Sequence, residues 1–398
     1  MLKRSVLLLI TSIGLSKLSL SWLGSASSTS RSEPHSSSSI SPGPKVPECI
    51  ESWETYRSYR QRRQSSTGLT ARKVLVADLK SRVPSSELVE DEDPYQTTVF
   101  TGGVRLEIDQ EDILGHGASG FVYGGTWIPL SDASDHQLDL LGQQDVAVKV
   151  SHDPWLLWEA HVMNLVQGDH VIRATATFTI PQPNDTQAHN GAVYAMVMPR
   201  VRGSLQLWAN ELPPANRARQ TLPVMLQMVE ALVQLHRQGF AHQDLKLGNM
   251  VYDRTPTGEM RVLISDLDRI TRSRYVRGSA GTLGYLSQEI LLRKTFDPMS
   301  SDVFAIGMAL LQLAFDSMSS HDFRMLVWRT VVDAAKPSKV KQALVDLFGG
   351  DLKEGPLNLF TRSLCEQEGH DDDGEWKRRI TAEELLTELR RIVDSGLW

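Results

Sequence analysis

Cysteine is almost absent. Cys49 and Cys365 are the only two in 398 residues, and Cys49 falls in a Ser-rich stretch. That argues against a disulfide framework, and a chain of this length can bury a sufficient core without one. A strong charge of one sign is absent as well. The formal net charge is −6 with 23% charged residues, so no nucleic-acid partner is expected for the molecule as a whole. Long apolar runs are missing too. The run over residues 5–14 is short, and Lys17 soon interrupts it, so it is a poor membrane span. It does fit a signal peptide over residues 1–26: Lys3 and Arg4 precede it, and Gly24-Ser25-Ala26 offers a small-residue cleavage site. At 41% hydrophobic, the remainder can hold one large domain or two lobes.

Residues 27–51 are dominated by Ser with interspersed Pro, a composition that builds no core and reads as disordered. Residues 52–105 read as a basic segment and a linker. Within 52–82, eight basic side chains face only Glu54 and Asp78, and Trp53, Tyr56 and Tyr59 recur at three-residue steps among the arginines. On a helix this would make an aromatic stripe beside a basic face, suited to an anionic membrane surface. A solvated basic linker and an organellar transit segment are the alternatives.

Chemistry begins after residue 104. Residues 104–108 alternate like a strand and lead into Gly115, Gly117, Ala118, Gly120 and Val122, the pattern Gly-x-Gly-x-x-Gly-x-Val. Glycines let backbone approach phosphates, but this pattern alone is shared with dinucleotide folds. No opening helix comes after it, which favours a β-hairpin flap over a nucleotide. Residues 124–144 read as a long hairpin loop. Residues 145–150 (Asp-Val-Ala-Val-Lys-Val) then place Lys149 in a β-branched strand, two residues after Ala147. A strand Lys ordinarily faces water; after a Gly-rich loop it suits a nucleotide phosphate. Glu159, the one acid of an apolar helix over 155–166, is its expected partner. Strands are expected around 172–180 and 193–198, ending at Met198 behind an adenine site.

Residues 240–252 contain His242, Asp244, Lys246 and Asn249 in the order His-x-Asp-Leu-Lys-x-x-Asn. A carboxylate to deprotonate a hydroxyl, a cation for a moving phosphate and an amide oxygen for a metal ion form a set that phosphoryl transfer needs. An apolar helix over 222–236 leads into this loop. A buried strand over 260–268 ends in an acid, a fit for a metal ligand, with Asp266 the candidate. Residues 281–289 run from Gly281 and Thr282 to Glu289. A helix over 301–313 is too apolar to be exposed, with Asp302 expected to cap it and reach the loop. Thr381 is expected to cap the last helix.

Taken together, these motifs resemble the eukaryotic protein kinase family over about residues 106–396. The resemblance implies an α+β, two-lobed fold, with a β-rich lobe over 106–199 and a helical lobe over 200–398. It implies ATP and Mg²⁺ between the lobes. Gly115, Gly117, Ala118, Gly120, Val122, Ala147, Lys149 and Met198 would then surround the nucleotide, and Asn249 and Asp266 the metal. Asp244, Lys246, Lys149, Glu159 and Thr282 would serve transfer to a Ser or Thr of a protein substrate, and Glu289 would pair with Arg379. Three positions depart from the family: Gln243 replaces an Arg that holds a phosphorylated activation segment, Asp268 replaces the Gly of Asp-Phe-Gly, and Gln288 replaces a Pro. The first departure leads us to expect activity without phosphate on Thr271, Ser273, Tyr275 or Ser279. The signal peptide, the Arg-rich segment and a Met-Pro-Arg hinge followed by Gly-Ser-Leu also resemble the secreted rhoptry kinases of apicomplexan parasites, which implies a secretory organelle. A pseudokinase that binds or scaffolds without transfer is the alternative that Asp268 and Gln243 keep open. A small-molecule kinase fits less well, given Lys246 and the 281–289 segment.

Overall fold

The computed structural model describes residues 75–78, 104–117, 119–129, 145–181, 192–213, 217–277, 281–292, 295–334, 336–365 and 379–398. All of them belong to one unit, Ser52–Trp398. The expected signal peptide, Ser-rich segment and aromatic-basic stripe, and the single residues Cys49, Ala118 and Ser279, lie outside the described residues.

Strands β1 (Leu75–Asp78), β2 (Val104–Gly117), β3 (Gly120–Pro129), β4 (Asp145–Ser151), β5 (Ala176–Pro181) and β6 (Ala192–Pro199) form an antiparallel sheet in the order β1-β2-β3-β4-β6-β5. β1 falls inside the 52–82 stretch that was open to a helical reading; four of its residues instead extend the sheet, with Leu75 opposite Ile108. Alternation builds the core of this lobe. Leu106, Ile108, Trp127, Val146, Val148, Ala195 and Val197 are buried together, as period-two side chains on one sheet face must be. β3 therefore runs on to Pro129 and corrects the loop expected from residue 124: Trp127 is buried among those side chains and Gly125 stands opposite Val146 and Ile108. The turn between β2 and β3 needs glycine at 120. Its φ is +141°, and a Cβ there would lie 2.2 Å from the Val150 carbonyl oxygen.

Helix α1 (Trp155–Leu165) packs on β6 and turns Leu156, Glu159, Ala160, Val162 and Met163 inward. The helical lobe comes after a short β7 (Gly203–Ser204) and opens with α2 (Leu205–Glu211) and α3 (Arg217–Arg237). α3 starts five residues earlier than the sequence pattern suggested and carries Pro223 inside it. β8 (Met250–Arg254) and β9 (Met260–Ile264) pair as a hairpin, with β7 alongside β8. β10 (Val276–Arg277) pairs with β11 (Thr295–Phe296), and α4 (Gln288–Leu291) lies between them in sequence. α5 (Pro298–Ala314) is buried from Ser301 to Leu313. α6 (His321–Ala334), α7 (Pro337–Phe348), α8 (Glu354–Leu364) and α9 (Ala382–Asp394) follow, with α8 packed on α5 and α9 on α3. Thr381 and Glu384 form a reciprocal capping box on α9. Asp302 does not cap α5. Asp297 does, accepting from the Met299 N–H, with Pro298 at the first helical position. Asp302 lies one turn farther in, which frees its carboxylate for the loop that carries Asp244. One apolar cluster runs from α1 through α3 and α5 to α9, so the strand-rich lobe is anchored on the helical one through α1.

Candidate active site

Lys149 on β4 is 5% exposed, and its ammonium donates to both oxygens of Glu159, at 2.8 and 2.9 Å. It also donates to Asp266 Oδ1 at 2.8 Å. Strand β4 and helix α1 thus deliver a cation and an anion to one point, and the turn after β9 delivers a second anion. Burial works against the charged ammonium, but Asp266 and Glu159 outweigh it and hold Lys149 above its ordinary range. Burial pushes the Glu159 carboxyl up, to about 7, with Lys149 pulling the other way. At Asp266 burial is outweighed by Lys149, and its carboxyl sits down at about 2. Asp266 also has φ +63°, sparsely populated for a non-glycine residue. The backbone bends there so that its carboxylate meets Lys149.

Gly115 and Gly117 lie at the end of β2, where a Cβ would meet nothing within 4 Å, so their backbones border open space. Val122 stands opposite both Gly115 and Lys149 in the sheet register. Ala147 and Met198 are buried register partners on β4 and β6. The side chains expected around a nucleotide therefore share one sheet region, with Ala118 outside the described residues.

The residues of the loop over 242–249 converge on Asp244. Thr282 Oγ1 donates to Asp244 Oδ1 at 2.7 Å and accepts from Lys246 Nζ at 2.7 Å. Lys246 Nζ lies 3.1 Å from Asp244 Oδ2. Asn249 Nδ2 donates to the Asp244 carbonyl at 2.9 Å, which leaves its amide oxygen free to face a cation. Gly281 makes the approach of Thr282 feasible: its φ is +107°, and its nearest neighbours include the Gln243 carbonyl. One carboxylate, one ammonium and one hydroxyl thus meet in a triangle beside the Lys149–Asp266 pair.

The loop is held from beneath. Asp302, 1% exposed, accepts from the backbone N–H of His242 at 2.6 Å and of Gln243 at 2.8 Å. His236 Nε2 adds a third contact at 3.1 Å. His242 Nε2 donates to the Ser265 carbonyl, while its Nδ1 accepts from the Asp244 N–H. One imidazole therefore ties the Asp244 loop to the turn carrying Asp266. Gln243 has φ +71° and donates to the Pro298 carbonyl, so its side chain is used inside the lobe. Asp268 is buried, 3.8 Å from Arg269, and its carbonyl accepts from the Trp155 indole on α1 at 3.2 Å. Arg379 chelates Glu289 with contacts of 2.8 and 3.3 Å. Burial raises the Glu289 carboxyl, but Arg379 outweighs it and the net shift is downward.

The structure brings together Lys149, Glu159 and Asp266, and separately Asp244, Lys246, Asn249 and Thr282. Sequence reasoning assigned no task to His236, His242 or Trp155. His242 stood inside the loop motif, and its place two residues before Asp244 was a usable signal. Trp155 carried none, because its partner is a backbone carbonyl 113 residues away.

The family model described as protein kinase domain matches residues 108–344. A protein of Dictyostelium discoideum named "Probable serine/threonine-protein kinase" is 25% identical over 304 residues, covering 74% of this chain and 19% of that protein. CBL-interacting serine/threonine-protein kinase 19 of Arabidopsis thaliana is 23% identical over 251 residues, covering 62% of this chain and 48% of its own length. The serine/threonine/tyrosine-protein kinase HT1 of the same plant is 24% identical over 203 residues, 48% of this chain and 51% of that one. The chain thus spans about a fifth to a half of the length of these curated relatives. The matched segment carries both the Lys149 and Asp244 clusters within a curled sheet packed on a helical lobe, and the chain belongs to the protein kinase domain family.

Proposed function

We propose that this protein is an active serine/threonine protein kinase, and the Asp244–Thr282–Lys246 triangle is the observation that carries the reading. Asp244 takes the proton of a substrate hydroxyl as the new oxygen–phosphorus bond forms. The bond from the γ-phosphorus to its bridging oxygen breaks, and ADP leaves with that electron pair. Lys246 faces the charge that builds on the transferring group, and Lys149, fixed by Glu159, holds the phosphates of ATP. Oxygen donors at Asn249 and Asp266 suit Mg²⁺, a hard cation usually held by one or two carboxylates together with substrate phosphates. Such an ion supplies charge neutralisation at the phosphates.

The Ser/Thr preference rests on reach. Lys246 and Thr282 crowd Asp244 within 3.1 Å, which favours a short aliphatic hydroxyl close to the base. Phosphoamino-acid analysis of a labelled protein substrate tests this, and label found mainly on tyrosine would overturn it. The pseudokinase reading draws on Asp268. Asp268→Gly discriminates: a rise of more than about tenfold in transfer would mean the native site is impaired. Entry to the secretory route, and adhesion of residues 52–82 to anionic membranes, are proposals supported by the sequence pattern. Replacing Arg57, Arg60, Arg62 and Arg63 by Gln should reduce binding to phosphatidylserine vesicles, and unchanged binding would discard the membrane proposal.

A further inference from the structure

The activation segment has a one-sided charge. Between Asp268 and Glu289 the sequence contains Arg269, Arg272, Arg274 and Arg277 and no acid. Arg272, Arg274 and Arg277 are exposed. Arg272 sits 4.1 Å over the Phe240 ring, and Arg274 lies 5.6 Å from the Tyr275 ring. None of these three forms an ion pair among the described residues.

The segment is also fixed beside the transfer site. At its start, Thr271 and Ala241 exchange backbone hydrogen bonds of 2.8 and 2.9 Å, three residues before Asp244. At its end, Arg277 pairs with Thr295 across β10 and β11, five residues before Thr282. The arginines therefore lie on chain that is tied at its start to the loop carrying Asp244 and paired at Arg277 with β11.

The acids around the site are already matched. Glu159 and Asp266 hold Lys149. Asp244 faces Lys246, Glu289 faces Arg379, and Asp302 accepts two loop N–H groups. Asp297, next to β11, caps α5. The exposed residue of the catalytic loop is Gly248, which brings no charge. Tyr285, within the segment, is bonded to the neutral Gln312. Among residues 269–277 every charged side chain is therefore positive and three of them are exposed, although the whole chain carries a net charge of −6.

Resting on the reading of this protein as a kinase, we propose that its preferred substrates carry Asp or Glu beside the accepting Ser or Thr, and that Arg272, Arg274 and Arg277 receive those carboxylates. Arg suits this task because its planar fork binds carboxylates bidentately. The contacts are exposed, so each is modest and salt-sensitive.

The test uses three Ser/Thr peptides of one length, flanked by Glu, by Gln or by Lys, with the full chain and Mg-ATP. The Glu peptide should exceed the Gln peptide by about fivefold or more in kcat/KM, mostly through KM, since two exposed pairs of ordinary strength give that ratio. Arg272→Gln, Arg274→Gln and Arg277→Gln together should erase the advantage and leave turnover of the Gln peptide unchanged. Raising the salt should shrink it in the unaltered protein. Equal use of all three peptides, or preference for the Lys peptide, overturns the inference and leaves the kinase reading standing. Fluorescence anisotropy of the same peptides with ADP and Mg²⁺ separates the two. Absent transfer with arginine-dependent binding of the Glu peptide would reject the kinase reading and support the acidic surface. Absent transfer with no charge preference in binding would reject both. Loss of activity on phosphatase treatment, with phosphate found on Ser273, would assign the arginines to an internal phosphate and overturn the proposal.

Discussion

Thr282→Val removes one hydroxyl and keeps the side-chain shape. In the structure that hydroxyl donates to Asp244 and accepts from Lys246, both at 2.7 Å. Each contact involves an ionised partner, and such a hydrogen bond contributes about 1.5–3 kcal/mol. The direct Lys246–Asp244 contact at 3.1 Å survives and recovers part of the loss. A net cost of about 2–3 kcal/mol in the transition state is therefore expected, a fall of about 30- to 150-fold in kcat. Thr282 touches neither Lys149 nor Asp266, so the KM for ATP should stay put. Thr282→Ser restores the hydroxyl and should remain within about threefold of the native rate. The assay is initial rate against peptide and ATP, with thermal melts to show that all three proteins are folded. A valine variant within about threefold of native kcat, or a serine variant as slow as valine, would refute the role given to this hydroxyl.

Lys149→Met should cut transfer by more than about 100-fold and destabilise in a pH-dependent way. Glu159 keeps its burial and loses its cation, so its carboxyl, already raised to about 7 from 4.5, rises further. The penalty is absent below the unfolded value of 4.5, grows as the pH climbs through the folded value, and urea titrations at pH 5 and pH 8 should show the larger loss at pH 8. Arg379→Met leaves Glu289 without its partner at 13% side-chain exposure and should cost about 3–5 kcal/mol near neutral pH by urea unfolding. In the native protein the lowered Glu289 carboxyl contributes stability that is present above its ordinary 4.5 and lost as the pH falls through its folded value. Changing Thr271 and Ser273 to Ala and Tyr275 to Phe should leave activity within about fivefold of native in a peptide assay, because Gln243 is bonded to Pro298 and supplies no cation for a phosphate.

Much of the site was legible because its residues sit in short motifs. Asp244, Lys246 and Asn249 lie within six positions, and the chain between them can only bring them together at one loop. The Thr282 bridge was also readable, since Gly281 signals a backbone that folds back. What escaped was long range or carried by backbone atoms. Trp155 meets a carbonyl, a bond that leaves no trace in residue type, and His242, though placed in the loop motif, joins two turns through the Ser265 carbonyl, a partner that no residue type announces. Asp302 illustrates the mixed case. Its reach to the loop was legible, but Asp297 with Pro298 makes the stronger helix start, and only the register of α5 tells the two acids apart. The length of β3 was hidden for a related reason: glycines at 124 and 125 look like a loop until Trp127 is seen packed in the sheet core.

The central claim is that Asp244 takes a proton during transfer of the γ-phosphate to a protein hydroxyl. The direct measurement is incorporation of radiolabel from γ-labelled ATP into a Ser/Thr substrate by the native protein and by Asp244→Asn, with ATP binding by both measured in parallel. Asparagine keeps the shape but cannot accept the proton, so the account predicts native transfer, loss of at least about 100-fold in the variant, and equal ATP affinity. Equal transfer by both proteins, or no transfer by the native one under conditions where it binds Mg-ATP, would contradict it.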